Sequence, residues 1–270
     1  MSQQPFNEKV VVITGGASGI GLALAGKFAH EGAFIGLIDM DKTALEACEK
    51  QFADRGHRAV GVVCDVTRQD MCEAAVAKII AAFGHIDVLV NNAGITQRSL
   101  FTETEVAVFQ KVMAVNFFGA LYCTRAAIDS IIKRRGMIIV NESIAGVAPL
   151  LGRTGYSASK HALHGLFTSL RCEIRHTGAH VMIVCPGFIK TNLQTRALGG
   201  DGNITTVPQS RIGKQDTPES AAASIYHGAV KRKNLLVLTW MGKIGYRVSR
   251  LTPGIYERLM TRQFKSELCN

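Results

Sequence analysis

The sequence predicts a single α/β domain built on a doubly wound parallel sheet of the Rossmann type. Three observations support this prediction. Short apolar runs recur along the chain, longer stretches separate them, and a glycine-rich turn follows the first run. Runs without polar alternation are typical of parallel strands covered on both faces. The 270 residues, 47% of them hydrophobic, are enough to bury one large core.

Seven apolar runs are predicted as strands, and the segments between them are long enough for crossover helices. The runs are Val10–Thr14, Phe34–Asp39, Ala59–Asp65, Val88–Asn91, Met137–Glu142, Val181–Cys185 and Leu235–Thr239. In such a sheet, ligands bind outside the carboxyl ends of the strands. Functional residues are therefore expected directly after strands.

Residues 1–239 are predicted to form the Rossmann-type domain, and residues 240–270 a basic amphipathic extension. On a helical wheel one face of the extension is apolar, and it consists of Trp240, Met241, Ile244, Val248 and Leu251. The neighbouring face is basic, and a Pro-Gly pair at 253–254 interrupts the segment. Two interpretations remain open: a helix packed on its own subunit or a dimer mate, or an interfacial helix that contacts anionic lipid through 240–260.

The charge is concentrated at the end of the chain. The net charge is +10, and residues 231–270 hold nine Lys/Arg and two Asp/Glu, a balance of +7. The remainder carries 22 basic and 19 acidic residues, or +3. A near-neutral body does not indicate nucleic-acid binding.

Seven cysteines are scattered without a CxxC pair, which indicates reduced thiols and a cytoplasmic protein. The alternative is a protein bound peripherally to a membrane through the extension. We predict no metal site. The polar start of the chain does not resemble a signal peptide, and no run of about 18 uncharged apolar residues predicts a membrane-spanning helix.

A glycine turn directly follows the first predicted strand, in the sequence TGGASGIG from Thr14 to Gly21. Glycines at 15, 19 and 21 allow a tight turn and a close approach of the backbone to a pyrophosphate. The helix that follows offers free N–H groups and its positive dipole end. An ordinary strand-to-helix turn is the alternative interpretation.

Two aspartates follow the next two strands. Asp39 can accept hydrogen bonds from adenosine ribose hydroxyls and would repel a 2′-phosphate, which favours NAD over NADP. The alternative for Asp39 is a solvated loop carboxylate, and Lys42 lies close enough to weaken the preference. Asp65 could meet the adenine amino group, although Asp-Val-Thr is also a plain helix N-cap signal.

Tyr156 and Lys160 lie four residues apart in a predicted helix that runs to about Arg175, so both project from one face. A lysine ammonium and the positive nicotinamide would favour the phenolate of a phenol whose ordinary pKa is about 10. Ser143 ends the fifth strand 13 residues earlier and could hold the reacting oxygen. Asn116 occurs within the helical stretch Val112–Thr124, where Asn is unfavourable. Its alternative is an exposed or back-bonded polar residue.

Together these motifs resemble the short-chain dehydrogenase/reductase family, in the family's order from Val10 to about Thr191. The glycine turn, the segment Asn91-Asn92-Ala93-Gly94 and the Pro186-Gly187 turn match family motifs. The family's catalytic residues fall on Asn116, Ser143, Tyr156 and Lys160. One departure is Glu142 before Ser143, where the family often has a second serine.

The resemblance implies a hydride transfer between a secondary alcohol and a ketone, in a homodimer or homotetramer. Tyr156 would transfer the proton, Lys160 would lower its pKa and bind the nicotinamide ribose, and Ser143 would orient the substrate oxygen with Tyr156. Asn116 would hold a relay water. The predicted cofactor-binding residues are Gly15, Ser18, Gly19, Ile20, Gly21, Asp39, Asp65, Val66, Asn91, Tyr156, Lys160, Ile189 and Thr191.

Three segments are expected to line the substrate pocket: Gly94–Phe101, Ile144–Gly155, and the stretch from Pro186 to about Lys214. Their apolar residues favour a hydrophobic small molecule, or else they simply pack the loops. The glycines from 199 to 202 predict a flexible lid. The competing functions are a dinucleotide-binding sensor or regulator, which would be expected to lose Tyr156 or Lys160, and a membrane- or nucleic-acid-binding module that uses the basic tail.

Overall fold

The apolar runs pair into one seven-stranded, fully parallel sheet in the order β3-β2-β1-β4-β5-β6-β7. The computed structural model describes residues 5–208 and 215–264. The strands are β1 Val10–Thr14, β2 Phe34–Asp39, β3 Ala59–Val63, β4 Val88–Asn91, β5 Met137–Asn141, β6 His180–Cys185 and β7 Leu235–Val237. The chain winds outward in both directions from β1 and β4, so the predicted doubly wound fold is confirmed.

Helices cover both faces of the sheet. One face packs against α3, α5 and α6, and the other packs against α1, α2 and α7. The helices are α1 Gly19–His30, α2 Lys42–Asp54, α3 Gln69–Phe83, α4 Val106–Met113, α5 Gly119–Lys133, α6 Thr154–Ile174, α7 Pro218–Val230, α8 Trp240–Leu251 and α9 Pro253–Gln263.

The strands are continuous apolar runs because both of their faces are buried. Val10 and Val12 of β1 belong to the core on one side of the sheet, whereas Val11 and Ile13 belong to the core on the other. All four side chains have no exposed surface. A polar residue at any of them would lose hydration without gaining a partner.

One helix among the described residues, at 106–133, is long and apolar enough to cross a membrane by length and composition alone. It combines α4 and α5 through a π-helical turn at Ala114–Phe118. Cys123, Ala127 and Ile131 are fully buried in the core, and Asn116 of the π-helical turn is 1% exposed. This helix therefore packs against the sheet as part of the domain core.

The chain after β7 forms two helices, α8 and α9, that pack on each other and on the loop after β5. The break between them falls at the Pro-Gly pair that the sequence indicates. The division of the chain at residue 239 stays a prediction, and residues 265–270 lie outside the described part. Six cysteines in that part are free thiols: Cys48, Cys64, Cys72, Cys123, Cys172 and Cys185.

A buried carboxylate ties the amino end of the sheet together. Asp87 accepts hydrogen bonds from the Val10 N–H at 3.0 Å and from Arg134 Nε at 3.0 Å. Lys9 Nζ lies 3.5 Å away. Burial opposes ionisation of Asp87, but the hydrogen bonds from Val10 and Arg134, together with the positive charges of Lys9 and His85, hold the pKa of this carboxyl below its ordinary value.

We predict that Asp87→Ala lowers the free energy of unfolding by about 2 kcal/mol at pH 7, because the buried Val10 N–H loses its acceptor. Since the folded pKa of Asp87 is lowered, the carboxylate stabilises the fold above its ordinary pKa of about 4, and this contribution is lost as the pH falls further. Urea unfolding of the wild type and Asp87→Ala at pH 7, and again well below the ordinary pKa of about 4, measures the difference in the free energy of unfolding. Asp129→Ala, at an exposed site on α5, is the control and should change little; an equal loss in both variants would contradict this account.

Candidate active site

The glycine turn lies at the carboxyl end of β1, where the strand order reverses between β1 and β4. Gly15 and Gly19 have positive φ angles of 61° and 54°, a conformation that L side chains rarely adopt. A Cβ on Gly21 would lie 2.1 Å from the Gly15 carbonyl oxygen. The turn therefore needs glycine at all three predicted positions, and its backbone leads directly into the amino end of α1.

The other predicted residues of the turn surround its opening. Ser18 is the exposed N-cap of α1, and its hydroxyl makes no capping hydrogen bond. Ile20 follows in the first turn of the helix and is partly buried. Thr191 approaches from the segment after β6, where its Cγ2 lies 3.4 Å from the Cβ position of Gly19. The structure thus brings Thr191 next to the glycine turn, although it lies 172 positions after Gly19 in the sequence.

Asp39 faces the same turn from the end of β2. Its Oδ2 accepts a hydrogen bond from the Ala17 N–H at 3.1 Å, and its Oδ1 accepts one from the Asp41 N–H at 3.2 Å. The carboxylate is thus held against the glycine turn, unlike a free loop carboxylate. Met40 beside it is 73% exposed.

Asp65 and Val66 lie beyond the end of β3, in the loop that leads to α3. Asp65 Oδ1 accepts hydrogen bonds from the Thr67 N–H at 2.9 Å and the Thr67 hydroxyl at 2.8 Å. This local turn precedes α3, whose N-cap is Arg68, so Asp65 does not cap that helix. Val66 packs against Gly119, where a Cβ would lie 2.8 Å from its Cγ2.

Asn92 connects three strand ends. Its Nδ2 donates to the carbonyl oxygens of Thr14 and Gly15, each at 3.0 Å, and its Oδ1 accepts from Asn141 Nδ2 at 2.7 Å. The Thr14 hydroxyl accepts the Asn92 N–H at 3.0 Å. Neighbouring Asn91, a predicted cofactor contact, is 4% exposed and donates from Nδ2 to the Thr124 hydroxyl at 2.8 Å.

Asn116 occupies the π-helical turn between α4 and α5, a distortion that is frequent at functional sites. Its Oδ1 accepts the Ile95 N–H at 2.8 Å, and its Nδ2 donates to the Ile95 carbonyl at 3.0 Å and to Ser159 Oγ at 2.9 Å. A Cβ on Gly94 would lie 3.1 Å from Asn116 Oδ1 and 3.6 Å from Lys160 Nζ. Asn116 is therefore neither exposed nor back-bonded, and both its side chain and that of Lys160 approach Gly94.

Tyr156 lies in the first turn of α6, 8% exposed, with its hydroxyl hydrogen-bonded to Ser143 at the end of β5. The buried Gln97 accepts the Tyr156 N–H on Oε1 at 3.0 Å and so caps the helix at this residue. Burial raises the pKa of Tyr156 to about 12, against the hydrogen bond from Ser143, which lowers it. The phenol is therefore protonated at neutral pH in the cofactor-free chain.

Lys160 projects from the same face of α6, with Nζ 5.7 Å from the centroid of the Tyr156 ring. Its ammonium donates to the Asn141 carbonyl at 3.0 Å. Burial lowers the pKa of Lys160 to about 8, and the negative charge of Glu142 opposes that shift. The ammonium is thus held at the end of β5, one helical turn from Tyr156.

Glu142 is a charged residue of the site that the sequence marks only as a departure from the family pattern. Its side chain has no exposed surface, and its Oε1 lies 3.2 Å from His164 Nδ1. Its Oε2 accepts the Cys185 thiol at 3.0 Å. A Cβ on Gly146 would lie 2.3 Å from this carboxylate. Because His164 follows Lys160 by four residues, the helix face that carries Tyr156 and Lys160 also reaches Glu142.

The segment after β6 packs across the site. Ile189 pairs in a short parallel bridge with Asp216, and Leu198 pairs with Gln97. The guanidinium of buried Arg98 donates to the carbonyl oxygens of Val207 and of Gln194, the latter at 3.1 Å.

Gly200, one of the glycines that predict a flexible lid, packs closely against the main chain. A Cβ on Gly200 would lie 1.9 Å from the Glu103 carbonyl oxygen, and Gly202 has a positive φ angle. The end of the predicted pocket segment, at 209–214, lies outside the described residues.

The sequence does not predict the contacts of Gln97 and Arg98 or the hydrogen bonds of Asn92. Their only signal is position: Asn92, Gln97 and Arg98 follow β4, at the sheet edge where ligands bind in such folds. His164 was detectable as the next residue on the helix face of Tyr156 and Lys160. Nothing in the sequence places Cys185 against Glu142, since the two are 43 positions apart and meet only through the pairing of β5 with β6.

Residues 9–199 match the family model for short chain dehydrogenase. "Dehydrogenase/reductase SDR family member 7B" of Mus musculus is 33% identical over 272 residues, which cover 98% of this chain and 84% of that protein. "Dehydrogenase/reductase SDR family protein 7-like" of Drosophila melanogaster is 31% identical, covering 94% of this chain and 80% of that protein.

Solved structures share the fold. The short-chain dehydrogenase/reductase from Burkholderia phymatum, in complex with NAD, superimposes with a TM-score of 0.83 at 23% identity, covering 94% of this chain and 96% of that chain. The alcohol dehydrogenase from Thermococcus sibiricus, complexed with 5-hydroxy-NADP, gives a TM-score of 0.75 at 24% identity, covering 85% and 95%. With the family model and the similar relatives, the chain belongs to the short-chain dehydrogenase/reductase family, a family of oxidoreductases.

Proposed function

We propose that this chain is an NAD-dependent oxidoreductase that interconverts a hydrophobic secondary alcohol and its ketone. One observation carries the proposal: the buried Tyr156 hydroxyl is hydrogen-bonded to Ser143, with the ammonium of Lys160 one helical turn away. This group can give a proton to a ketone oxygen or take one from an alcohol. A sensor or regulator on the same scaffold would not need a proton donor and an ammonium enclosed together.

The glycine turn fits a dinucleotide. A Cβ at Gly21 would fill the space that the Gly15 carbonyl occupies, and the positive φ angles of Gly15 and Gly19 leave backbone rather than side chains at the opening. The residues that would hold the cofactor are those of the turn, Asp39, Asp65, Val66, Asn91, Ile189, Thr191 and Lys160. When bound, the nicotinamide would supply or accept the hydride. The Asp39 carboxylate, held on the Ala17 N–H, favours NAD because it would repel a 2′-phosphate.

The proton is assigned to Tyr156. Because burial raises its pKa to about 12, the phenol holds its proton at neutral pH and can deliver it to a ketone oxygen. In the opposite direction the phenolate is needed, and the positive charges of Lys160 and of a bound nicotinamide would stabilise it. Ser143 would hold the same substrate oxygen, since its hydroxyl already contacts the hydroxyl of Tyr156.

An apolar cluster beside Tyr156 favours a hydrophobic substrate. Its buried members are Val108, Val112, Ala145, Tyr156 and Leu198, with Ile95 and Leu150 packed against them. These residues come from all three segments that the sequence assigns to the pocket and from the neighbouring helix α4. Apolar groups around a few polar ones are typical of small-molecule sites.

We predict that Tyr156→Phe lowers turnover by at least about 100-fold while the affinity for NAD changes little, because the substitution removes only the proton that Tyr156 transfers. Turnover is measured by NADH fluorescence with a panel of hydrophobic alcohols and ketones, and NAD affinity by titration. Tyr246→Phe is the matched control and should keep full activity. Substantial turnover in Tyr156→Phe would refute the proton transfer, and cofactor binding without any turnover in the wild type would favour the sensor.

We predict that NADH binds at least about 10-fold more tightly than NADPH, and that Asp39→Asn removes most of this difference. The amide keeps an oxygen for the Ala17 N–H but loses the charge that would repel the 2′-phosphate. Fluorescence titration with both reduced cofactors measures the ratio. Asp41→Asn keeps the N-cap of α2 and serves as the neighbouring carboxylate control. If Asp39→Asn leaves the ratio of the NADH and NADPH affinities unchanged, other residues determine the preference for NADH.

The pH profile of ketone reduction should have an alkaline limb near pH 8, because the pKa of Lys160 is about 8 and its positive charge is lost as the pH rises through that value. The carboxylate of Glu142 opposes the lowering of this pKa by burial. We therefore predict that Glu142→Gln moves the limb to lower pH by roughly half a unit or more.

The pH experiment compares initial rates of the wild type and Glu142→Gln with Glu73→Gln, whose carboxylate is exposed on α3 and should leave the limb in place. Thermal unfolding is recorded alongside, because Glu142 also contacts His164 and Cys185. If Glu142→Gln folds and its alkaline limb lies at the same pH as that of the wild type, Glu142 does not influence the ionisation of Lys160.

A further inference from the structure

The helices α8 and α9 are here called the C-terminal hairpin. In the described part of the chain, one side of this hairpin packs on the loop after β5 and on the central core. Ser249 Oγ donates to the Val147 carbonyl at 3.4 Å, and the Leu151 N–H contacts Met260 Sδ at 3.2 Å. Met260 and Phe264 are buried, and Tyr246 packs on the central core. The hairpin thus covers the loop after Ser143 that lines the proposed pocket.

The opposite side of α8 is apolar and exposed. Trp240 is 69% exposed, Ile244 45% and Leu251 81%. At 100° per residue these three positions fall within about 40° of one another, so they form one stripe along the helix. The exposed Lys243, Arg247 and Arg250 lie along one flank of this stripe.

The same pattern repeats on α9. Ile255 is 52% exposed and Leu259 59%, and their spacing of four residues places them on one face. Arg258 and Arg262 each follow one of these apolar residues by three positions and lie on the flank of the stripe, both exposed. Two consecutive helices therefore expose an apolar stripe with a row of arginine beside it.

Exposed apolar residues are ordinary when they are scattered, but five large ones within 20 residues, arranged as a stripe on each of two packed helices, indicate a binding surface. The partner must accept apolar side chains next to five cations. A second copy of this chain would bring the same positive charges together, and nucleic acid offers nothing to the apolar stripe. An anionic lipid surface provides both an acyl region and phosphate groups.

We propose that the C-terminal hairpin docks on the surface of an anionic bilayer, with its apolar stripes in the interfacial layer and its flanking cations on the lipid phosphates. The apolar stripes consist of Trp240, Ile244, Leu251, Ile255 and Leu259, and the cations are Lys243, Arg247, Arg250, Arg258 and Arg262. The charge of +7 in residues 231–270 against +3 in the rest orients this end of the molecule toward the membrane. Docking does not depend on the proposed oxidoreductase activity.

The chain offers a direct probe, because Trp240 is its only tryptophan and lies in the stripe. The full chain is mixed with vesicles of phosphatidylcholine alone or with roughly 30% phosphatidylserine. We expect co-sedimentation and a blue shift of the Trp240 emission with the anionic vesicles. Raising NaCl from about 0.1 M to about 1 M should weaken both, since the charges are exposed.

Substitutions on the stripe provide the second arm. Leu251→Glu and Leu259→Glu each should weaken vesicle binding by at least about 10-fold, because a leucine that docking would bury in the lipid is replaced by a charge that the lipid repels. Both positions are exposed, so the fold should be unaffected. Val106→Glu, at a 70% exposed apolar site outside the hairpin, is the control and should bind like the wild type.

Equal sedimentation with and without anionic lipid, or an unshifted Trp240 emission, would overturn the proposal. A second result would also overturn it: the wild type does not bind vesicles but forms a dimer, and Leu251→Glu dissociates that dimer. The stripe would then be an interface between copies of this chain. Equal binding by Leu259→Glu and Val106→Glu would exclude the α9 stripe from the docking surface. None of these readings uses catalytic activity, so they remain informative if the proposed reaction is wrong.

Discussion

The hydrogen bonds of Asn92 hold the two halves of the site at fixed positions, and the rest of the site depends on them. Asn92 donates to the carbonyl oxygens of Thr14 and Gly15 and accepts from Asn141, whose own carbonyl accepts the ammonium of Lys160. These side chains join the ends of β1, β4 and β5 at the point where the strand order reverses. The glycine turn and α6, which carries Tyr156 and Lys160, are therefore coupled through buried polar groups that would be costly to leave without hydrogen-bond partners.

Burial around this junction controls the charges of the site. Tyr156 and Lys160 are both enclosed, and burial moves their pKa values in opposite directions, each toward the neutral form. Glu142 is an enclosed carboxylate that raises both values, so it supports the ammonium of Lys160 while it keeps the proton on Tyr156. A serine at position 142, as the family often has, would lack this charge. The charge around Tyr156 and Lys160 therefore differs from the charge that the shared motif implies.

The sequence predicts the layers of this fold well because each strand is a buried apolar run. The bounds of Val10–Thr14, Phe34–Asp39 and Val88–Asn91 agree with the structure to the residue. β3, β5 and β7 end one or two residues earlier than predicted, since hydrophobicity does not reveal where the ladder stops. The site is predictable where residues follow strands, as for Ser143. The π-helical turn at Asn116 and the contacts of Glu142 depend on tertiary packing, which periodicity does not record.

The C-terminal hairpin shows why an amphipathic pattern alone cannot say which way a helix faces. The usual expectation is that an apolar face turns toward the core. In α8 the inward side is instead formed by Gly242, by Tyr246, whose ring packs on the central core, and by Ser249, whose hydroxyl donates to the loop beneath. The apolar stripe of Trp240, Ile244 and Leu251 is left exposed. In the docking that we propose, the lipid surface accounts for the exposed apolar face, and the arginines beside it require negative charge on that surface.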